Sequence, residues 1–234
     1  MLKGNSIEQK IWNYFKDKGW NDFGVAGLMG NLYAESSLNP ENLQNSFENK
    51  LNHNDKSYTK AVNDGTYRNF VEDGAGYGLA QWTYWTRKQT LLAFAKAREV
   101  SIGDLELQLD YLDYELGTGY KEVLSVVKNA YSIEIASNVI LINFEKPANQ
   151  SLQVQKKRIE YGKMFYDKYH KRESVNSMAI VKDNTPDIWA KEAVDWAIKN
   201  KILFGDETGN YKLRSNCTRQ EIIVMLHRYF KNIK

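Results

Sequence analysis

Apolar residues recur at helical spacing through most of the first 170 positions, and one long stretch breaks the pattern. A first helix opens at a capping box, Ser6 with Gln9, turns Ile11, Trp12 and Phe15 inward and ends at Gly19. A second runs from about residue 21 or 22 to 35, with Val25, Leu28, Met29 and Leu32 toward a core. Gly24, Gly27 and Gly30 interrupt it, each costing roughly 1 kcal/mol against Ala in a helix interior. Three such residues at three-residue spacing predict the close approach of another element. From 40 to about 75 the period is lost. Asp64-Gly65 reads there as a hairpin turn between short strands around 58–62 and 67–71. A loop this long inside a compact domain is usually functional.

Helical patterning then returns. Thr83 is placed to cap a helix through 96 that buries Leu91, Leu92 and Ala95. Ile102, Leu105, Leu109, Leu112 and Leu116 repeat at alternating steps of 3 and 4, the cleanest amphipathic pattern in the chain. Ser132 opens another helix with Ala136, Val139 and Ile140 inward, and a last one carries Val154, Arg158, Tyr161 and Phe165. Residues 1–170 thus read as a mainly α domain with a small β-hairpin excursion. Positions 171–185 lose apolar periodicity and read as a linker. A small all-α unit follows over 186–234, with a helix capped by Asp187 and a second opened by the capping box Thr218-Arg-Gln-Glu221. About 50 residues is small for an independent core, so this unit is expected to lean on a neighbour or on copies of itself.

Composition narrows the chemistry. A net charge of +3 across 234 residues is too weak to indicate nucleic acid, although it suits an anionic wall or polymer. One cysteine, Cys217, and three scattered histidines, His53, His170 and His227, predict neither a disulfide framework nor a metal site, and no cofactor is expected. The N-terminus, Met-Leu-Lys-Gly-Asn-Ser, has no apolar leader, and no 18-residue apolar run occurs, so a membrane span is not expected. That pattern predicts synthesis in the cytoplasm, with any action outside depending on another exit route. The 15 Tyr, 9 Phe and 6 Trp bury large areas in cores, but clusters beside glycine turns, such as Trp82 and Trp85, also suit sugar stacking.

The sharpest chemical signal is Glu35, within Gly27-Leu-Met-Gly-Asn-Leu-Tyr-Ala-Glu-Ser-Ser-Leu-Asn-Pro40. Leu28, Leu32 and Glu35 share one helix face, so the carboxyl falls on the apolar stripe. Pro40 ends the helix within a turn, which places that acid at the negative end of the dipole. Burial and dipole both favour the protonated form, as a general acid working near neutral pH requires. A second segment, Gly74-Ala-Gly-Tyr-Gly-Leu-Ala-Gln-Trp82, supplies a tight turn whose backbone can approach a ligand.

Together these segments resemble the lysozyme-like superfamily of goose-type lysozymes and lytic transglycosylases. More narrowly they resemble the phage tail lysozyme family, over about residues 7–169 and including Asn143-Phe-Glu-Lys-Pro147. The resemblance implies an α+β lysozyme-like fold and cleavage of the β-1,4 bond between N-acetylmuramic acid and N-acetylglucosamine in bacterial peptidoglycan. Glu35 would be the general acid. Asp73 is the first candidate for a water-activating base, with Glu72 beside it and Glu145 a weaker choice. Ser36, Tyr77, Gln81 and Trp82 are candidates for substrate contact. Hydrolysis, transglycosylation by the sugar's own hydroxyl, and N-acetylglucosaminidase action all stay open, as does a non-catalytic wall-binding or assembly role. In the second unit, Trp189-Ala-Lys-Glu-Ala-Val-Asp-Trp-Ala-Ile198, Gly205-Asp-Glu-Thr-Gly-Asn-Tyr211 and Thr218-Arg-Gln-Glu221 resemble a single S-layer homology repeat. That likeness implies binding of a secondary cell-wall polymer of Gram-positive bacteria through Trp189 and Arg219, with homo-oligomerisation multiplying one weak copy. The two likenesses together describe a phage endolysin, made in the host cytoplasm and acting on the wall.

Overall fold

The computed structural model describes residues 2–170, 183–206 and 209–232. By its contacts the chain divides into two compact units, 1–170 and 171–234. Among its described residues the first holds nine α-helices: α1 (Ile7–Asp17), α2 (Asp22–Ser36), α3 (Asn45–Leu51), α4 (Asp55–Asn63), α5 (Trp85–Arg98), α6 (Leu105–Thr118), α7 (Lys121–Lys128), α8 (Ile133–Val139) and α9 (Leu152–Tyr169). A π-helical turn, Ile140–Glu145, continues α8.

Helix α2 is the axis of this unit, packed against α1, α7, α8 and α9. Its side chains are buried all round from Gly24 to Leu32, so it is an interior helix rather than an amphipathic surface one. The three glycines explain how its neighbours come so close. A Cβ at Gly24 would lie 2.1 Å from the Val127 carbonyl oxygen, and one at Gly27 would lie 2.5 Å from the Ala136 Cβ. At Gly30 it would meet the Arg158 carbonyl oxygen at 2.3 Å and the Gly162 nitrogen at 2.6 Å. Each glycine admits a different partner: α7, α8 and α9 in turn. Backbone contact of this kind leaves nothing flexible to move aside, so even alanine would force the helices apart.

The hairpin expected around Asp64-Gly65 is not formed. Residues 55–63 are helix α4, closed at its start by a reciprocal capping box between Asn54 and Ser57. Tyr58, Thr59 and Val62 are buried on one face of it, an i, i+4 pattern whose β-branched and aromatic members mimic a strand. Residues 67–69 are irregular and 70–72 form a turn. The β-like pairing instead joins Leu43 to Tyr77 and Tyr77 to Trp82 through isolated bridges. Thr83 likewise does not cap α5: Tyr84 holds that position, and the Thr83 hydroxyl donates to the Gln81 carbonyl. Helix α7, unmarked in the sequence pattern, buries only Val123 and Val127.

In the second unit a 3-10 turn (Ile188–Ala190) leads into α10 (Lys191–Lys199), and α11 (Arg219–Asn232) follows. Thr218 and Glu221 form the expected capping box, through Thr218 N to Glu221 Oε2 at 2.7 Å and Glu221 N to Thr218 Oγ1 at 3.2 Å. Among the described residues of this unit, Ile202 alone is a buried hydrophobic, while Ile223 and Phe230 are 64% and 70% exposed. The linker expected at 171–185 lies, over 171–182, outside the described residues, as do positions 207–208 of the glycine turn. Among the described residues no helix is long and apolar enough to cross a membrane.

Candidate active site

Glu35 occupies the last turn of α2, which stops because Ser37 and then Leu38 take left-handed backbone angles. The glycine segment 74–82 lies beside this helix end. Ser36 ties the two together: its buried hydroxyl shares one hydrogen between the Leu32 carbonyl, 3.1 Å away, and the Leu79 carbonyl, 3.0 Å away. The segment is anchored from behind by Gln108. That buried amide accepts from the Leu79 N–H at 2.9 Å and donates to the carbonyls of Pro40 and Ile102. Gly78 has φ +72°, and a Cβ there would lie 2.7 Å from the Gln108 amide, so this position demands glycine on two counts.

A cleft of about 770 Å³ opens over these elements. Glu35, Gln81, Gly74, Asn42, Gln44 and Phe47 line one part of it, and Tyr84, Arg87, Glu145 and Lys146 another. The Glu35 side chain is 20% exposed, enough for a ligand to reach it. The Gln81 Nε2 is engaged with Asn42 Oδ1 at 2.9 Å and the Gly78 carbonyl at 3.1 Å, while its residue adopts φ +46°. Gln81 thus lines the cleft and also braces the turn that forms it.

Behind Glu35 stands a charged cluster of Glu145, the weaker carboxylate candidate of the sequence, and Arg158, whose role the sequence pattern did not mark. Arg158, from α9, donates from Nη2 to Glu35 Oε1 at 2.5 Å and from Nη1 to Glu145 Oε2 at 2.8 Å. The same Nη1 lies 3.2 Å from the Asn31 carbonyl oxygen. Asn31 is itself buried, its amide donating to Gly27 O, Ser137 O and Ser137 Oγ. One guanidinium therefore serves two carboxylates. Glu145 sits at the end of the π-helical turn, an irregularity that often marks functional positions. Burial first and the charge of Glu35 second push the Glu145 carboxyl up, to about 8. Arg87 flanks this cluster, held by both oxygens of Glu115 at 2.7 and 2.9 Å and lying over the Phe144 ring.

Four expected site residues belong to the interior instead, and Ser36, with its buried hydroxyl committed to Leu32 and Leu79, is the first of them. Asp73 is buried, paired with Lys88 at 2.5 Å, and also accepts from the hydroxyls of Tyr58 and Tyr67 and from the Ala75 N–H. Its lone pairs are filled by structural donors, and it is absent from the cleft wall. Tyr77 is buried with its hydroxyl 2.6 Å from Thr59 Oγ1. Trp82 is buried and donates its indole N–H to Glu115 at 2.7 Å. Neither can stack on a sugar. Tyr84, 63% exposed, lines the cleft, and Trp85 beside it in the chain is 50% exposed. In the second unit Trp189 is 87% exposed in the 3-10 turn, and Arg219 is an exposed first residue of α11. Among the described residues no His, Cys, Asp and Glu cluster suits a metal ion.

Morphogenesis protein 1 of Bacillus phage B103 is 24% identical over 165 residues, which cover 65% of this chain and 37% of that protein. The chain thus spans little more than a third of that relative. Residues 6–169, the whole of the unit that carries Glu35, the glycine segment and Arg158, match the family described as phage tail lysozyme, and the chain belongs to that family.

Proposed function

We propose that this protein cleaves the β-1,4 bond between N-acetylmuramic acid and N-acetylglucosamine in bacterial peptidoglycan, with Glu35 as general acid. One observation carries the reading: a half-buried carboxyl at a helix end, on the wall of an open cleft beside a glycine turn rich in backbone and amide groups. The Glu35 carboxyl gives its proton to the departing glycosidic oxygen as the bond to the anomeric carbon breaks. Gln81, Asn42 and Gln44 offer neutral polar groups to the sugar.

A second reading concerns what attacks the sugar. Inverting hydrolases hold their two carboxyl groups about 6.5–9.5 Å apart to seat a water between them. Among the described residues lining the cleft, Glu35 and Glu145 are the only carboxylates, and one arginine joins them. That arrangement favours a single working acid, with the sugar's own hydroxyl as nucleophile, over a muramidase with a separate base. Borohydride reduction of fragments released from purified peptidoglycan, followed by mass spectrometry, separates the cases. Unreduced 1,6-anhydro ends are expected. Reduced muramic-acid ends would restore the hydrolase, reduced glucosamine ends would make it a glucosaminidase, and no fragments would leave a wall-binding protein.

The C-terminal unit is proposed as the wall-targeting part of an endolysin of Gram-positive hosts, on the likeness of 189–221 to an S-layer homology repeat. Trp189 and Arg219 are exposed as a polymer contact requires, and an arginine fork suits acidic groups. The unit's exposed apolar residues favour association with further copies. The relative's name, a morphogenesis protein, supports the other setting, a lysozyme carried on the particle.

A further inference from the structure

The cluster behind Glu35 poses a charge problem that the single-acid reading leaves open. Arg158 carries one positive charge and faces two carboxylates, Glu35 and Glu145, whose side chains are 20% and 4% exposed. The other charged groups near the pair are Arg87 from α5, already matched by both oxygens of Glu115, and Lys146, whose ammonium lies toward the Tyr120 ring. If both acids ionised, a largely buried site would hold a surplus negative charge, which low dielectric strongly disfavours. The Glu145 carboxyl gives the answer. Its Oε2 accepts from Arg158, whereas Oε1 is buried and receives no hydrogen bond from the described residues. A carboxyl oxygen so placed is satisfied by carrying a proton and donating it, and Glu35 is the acceptor at hand.

We propose that Glu145 is the positioning residue that keeps the catalytic acid charged with a proton: Glu35 and Glu145 hold one proton between them on Arg158, and that proton is delivered through Glu35. This rests on the assignment of Glu35 as general acid. In the resting site the proton lies between the two carboxyls. As the anomeric C–O bond breaks, its electron pair goes to the departing oxygen, which takes the proton from Glu35 and leaves both carboxylates ionised beside Arg158. The nucleophile, water or a sugar hydroxyl, then bonds to the anomeric carbon and loses its own O–H proton to the pair. The site is restored with no outside donor. Without Glu145, Arg158 would face Glu35 alone, and a lone carboxylate against a guanidinium stays ionised and delivers no proton near neutral pH.

The test is the pH profile of Glu145→Gln, which keeps the shape and the acceptor for Arg158 but cannot share a proton. Wall clearing by the parent is expected to persist into the neutral range. In Glu145→Gln the alkaline limb is expected to move down by at least about one pH unit, so the ratio of activity at pH 5 to that at pH 7.5 rises about tenfold or more. A profile that overlays the parent's, or a uniform loss at every pH with an unchanged melting temperature, overturns the proposal. A readout free of activity uses Glu35→Gln, whose change is at the cleft wall. Infrared titration of the full chain should show a carboxylic-acid carbonyl band surviving above pH 6.5 in the parent and titrating at lower pH in that variant. A band that titrates identically in both also overturns it. If Glu35→Gln itself cleared walls, the general-acid assignment would fail first; if it is dead while Glu145→Gln keeps the parent profile, only the shared proton fails.

Discussion

Glu35→Gln is expected to lower the rate of clearing purified Gram-positive walls by about 10²–10⁴-fold, the range lost with a positioned general acid. The variant should fold as the parent does. The amide keeps the shape of the side chain, and Arg158 retains Glu145 as its counter-charge at 2.8 Å. Removing the Glu35 carboxyl leaves Arg158 and Glu145 as a matched pair. A turbidity assay with a melting curve on the same sample checks both statements. Equal clearing would mean that the cleft acid is not Glu35, and the remaining cleft carboxylate, Glu145, is too buried to reach a sugar unaided. Loss of clearing together with a large drop in melting temperature would instead make Glu35 a structural partner of Arg158.

What the sequence makes legible here is whatever a local period can express. Gly24, Gly27 and Gly30 announce that α2 is crowded, and three different neighbours meet it at those points. Glu35 is marked because an acid on an apolar stripe is locally improbable. Its partner Arg158 carries no such mark. Arg158 is 123 positions away; the pattern sets it with Val154, Tyr161 and Phe165 in the last helix without naming a partner, and its pairing exists only once α9 lies against α2. The aromatics fail for the opposite reason. Tyr77, Trp82, Tyr84 and Trp85 sit together in the chain, but one residue's difference in facing decides between core and surface. The short bridges around Tyr77 turn it and Trp82 inward, and pattern alone cannot show that. In α4 the misreading came from residue type: Tyr58, Thr59 and Val62 favour strands intrinsically, yet burial on one helical face and the Asn54 cap prevail.

Lys88→Met should be the most damaging single change to the fold, at about 3–5 kcal/mol, because it leaves Asp73 ionised in the interior without its counter-ion. Lys88 is wholly buried, and it bridges Asp73 at 2.5 Å and the Ala75 carbonyl at 2.8 Å. It thereby fixes the segment that leads into the glycine turn. The sign of the pH dependence follows from which group is stranded. An unpaired buried carboxyl has a folded-state pKa above its unfolded one, so the folded variant binds more protons above about pH 4 and loses stability as pH rises. The gap in melting temperature between parent and Lys88→Met should therefore be widest near neutrality and shrink toward pH 4. Asp73→Asn strands the ammonium instead, and there the gap should narrow as pH rises, since burial already lowers the Lys88 pKa and eases loss of its proton. Opposite slopes in the two variants would establish the pair as a structural ion pair. The same samples decide the catalytic question left by the sequence. At a temperature where Asp73→Asn is folded, its clearing rate per folded molecule should match the parent's, whereas a water-activating base at that position would make the loss rival that of Glu35→Gln.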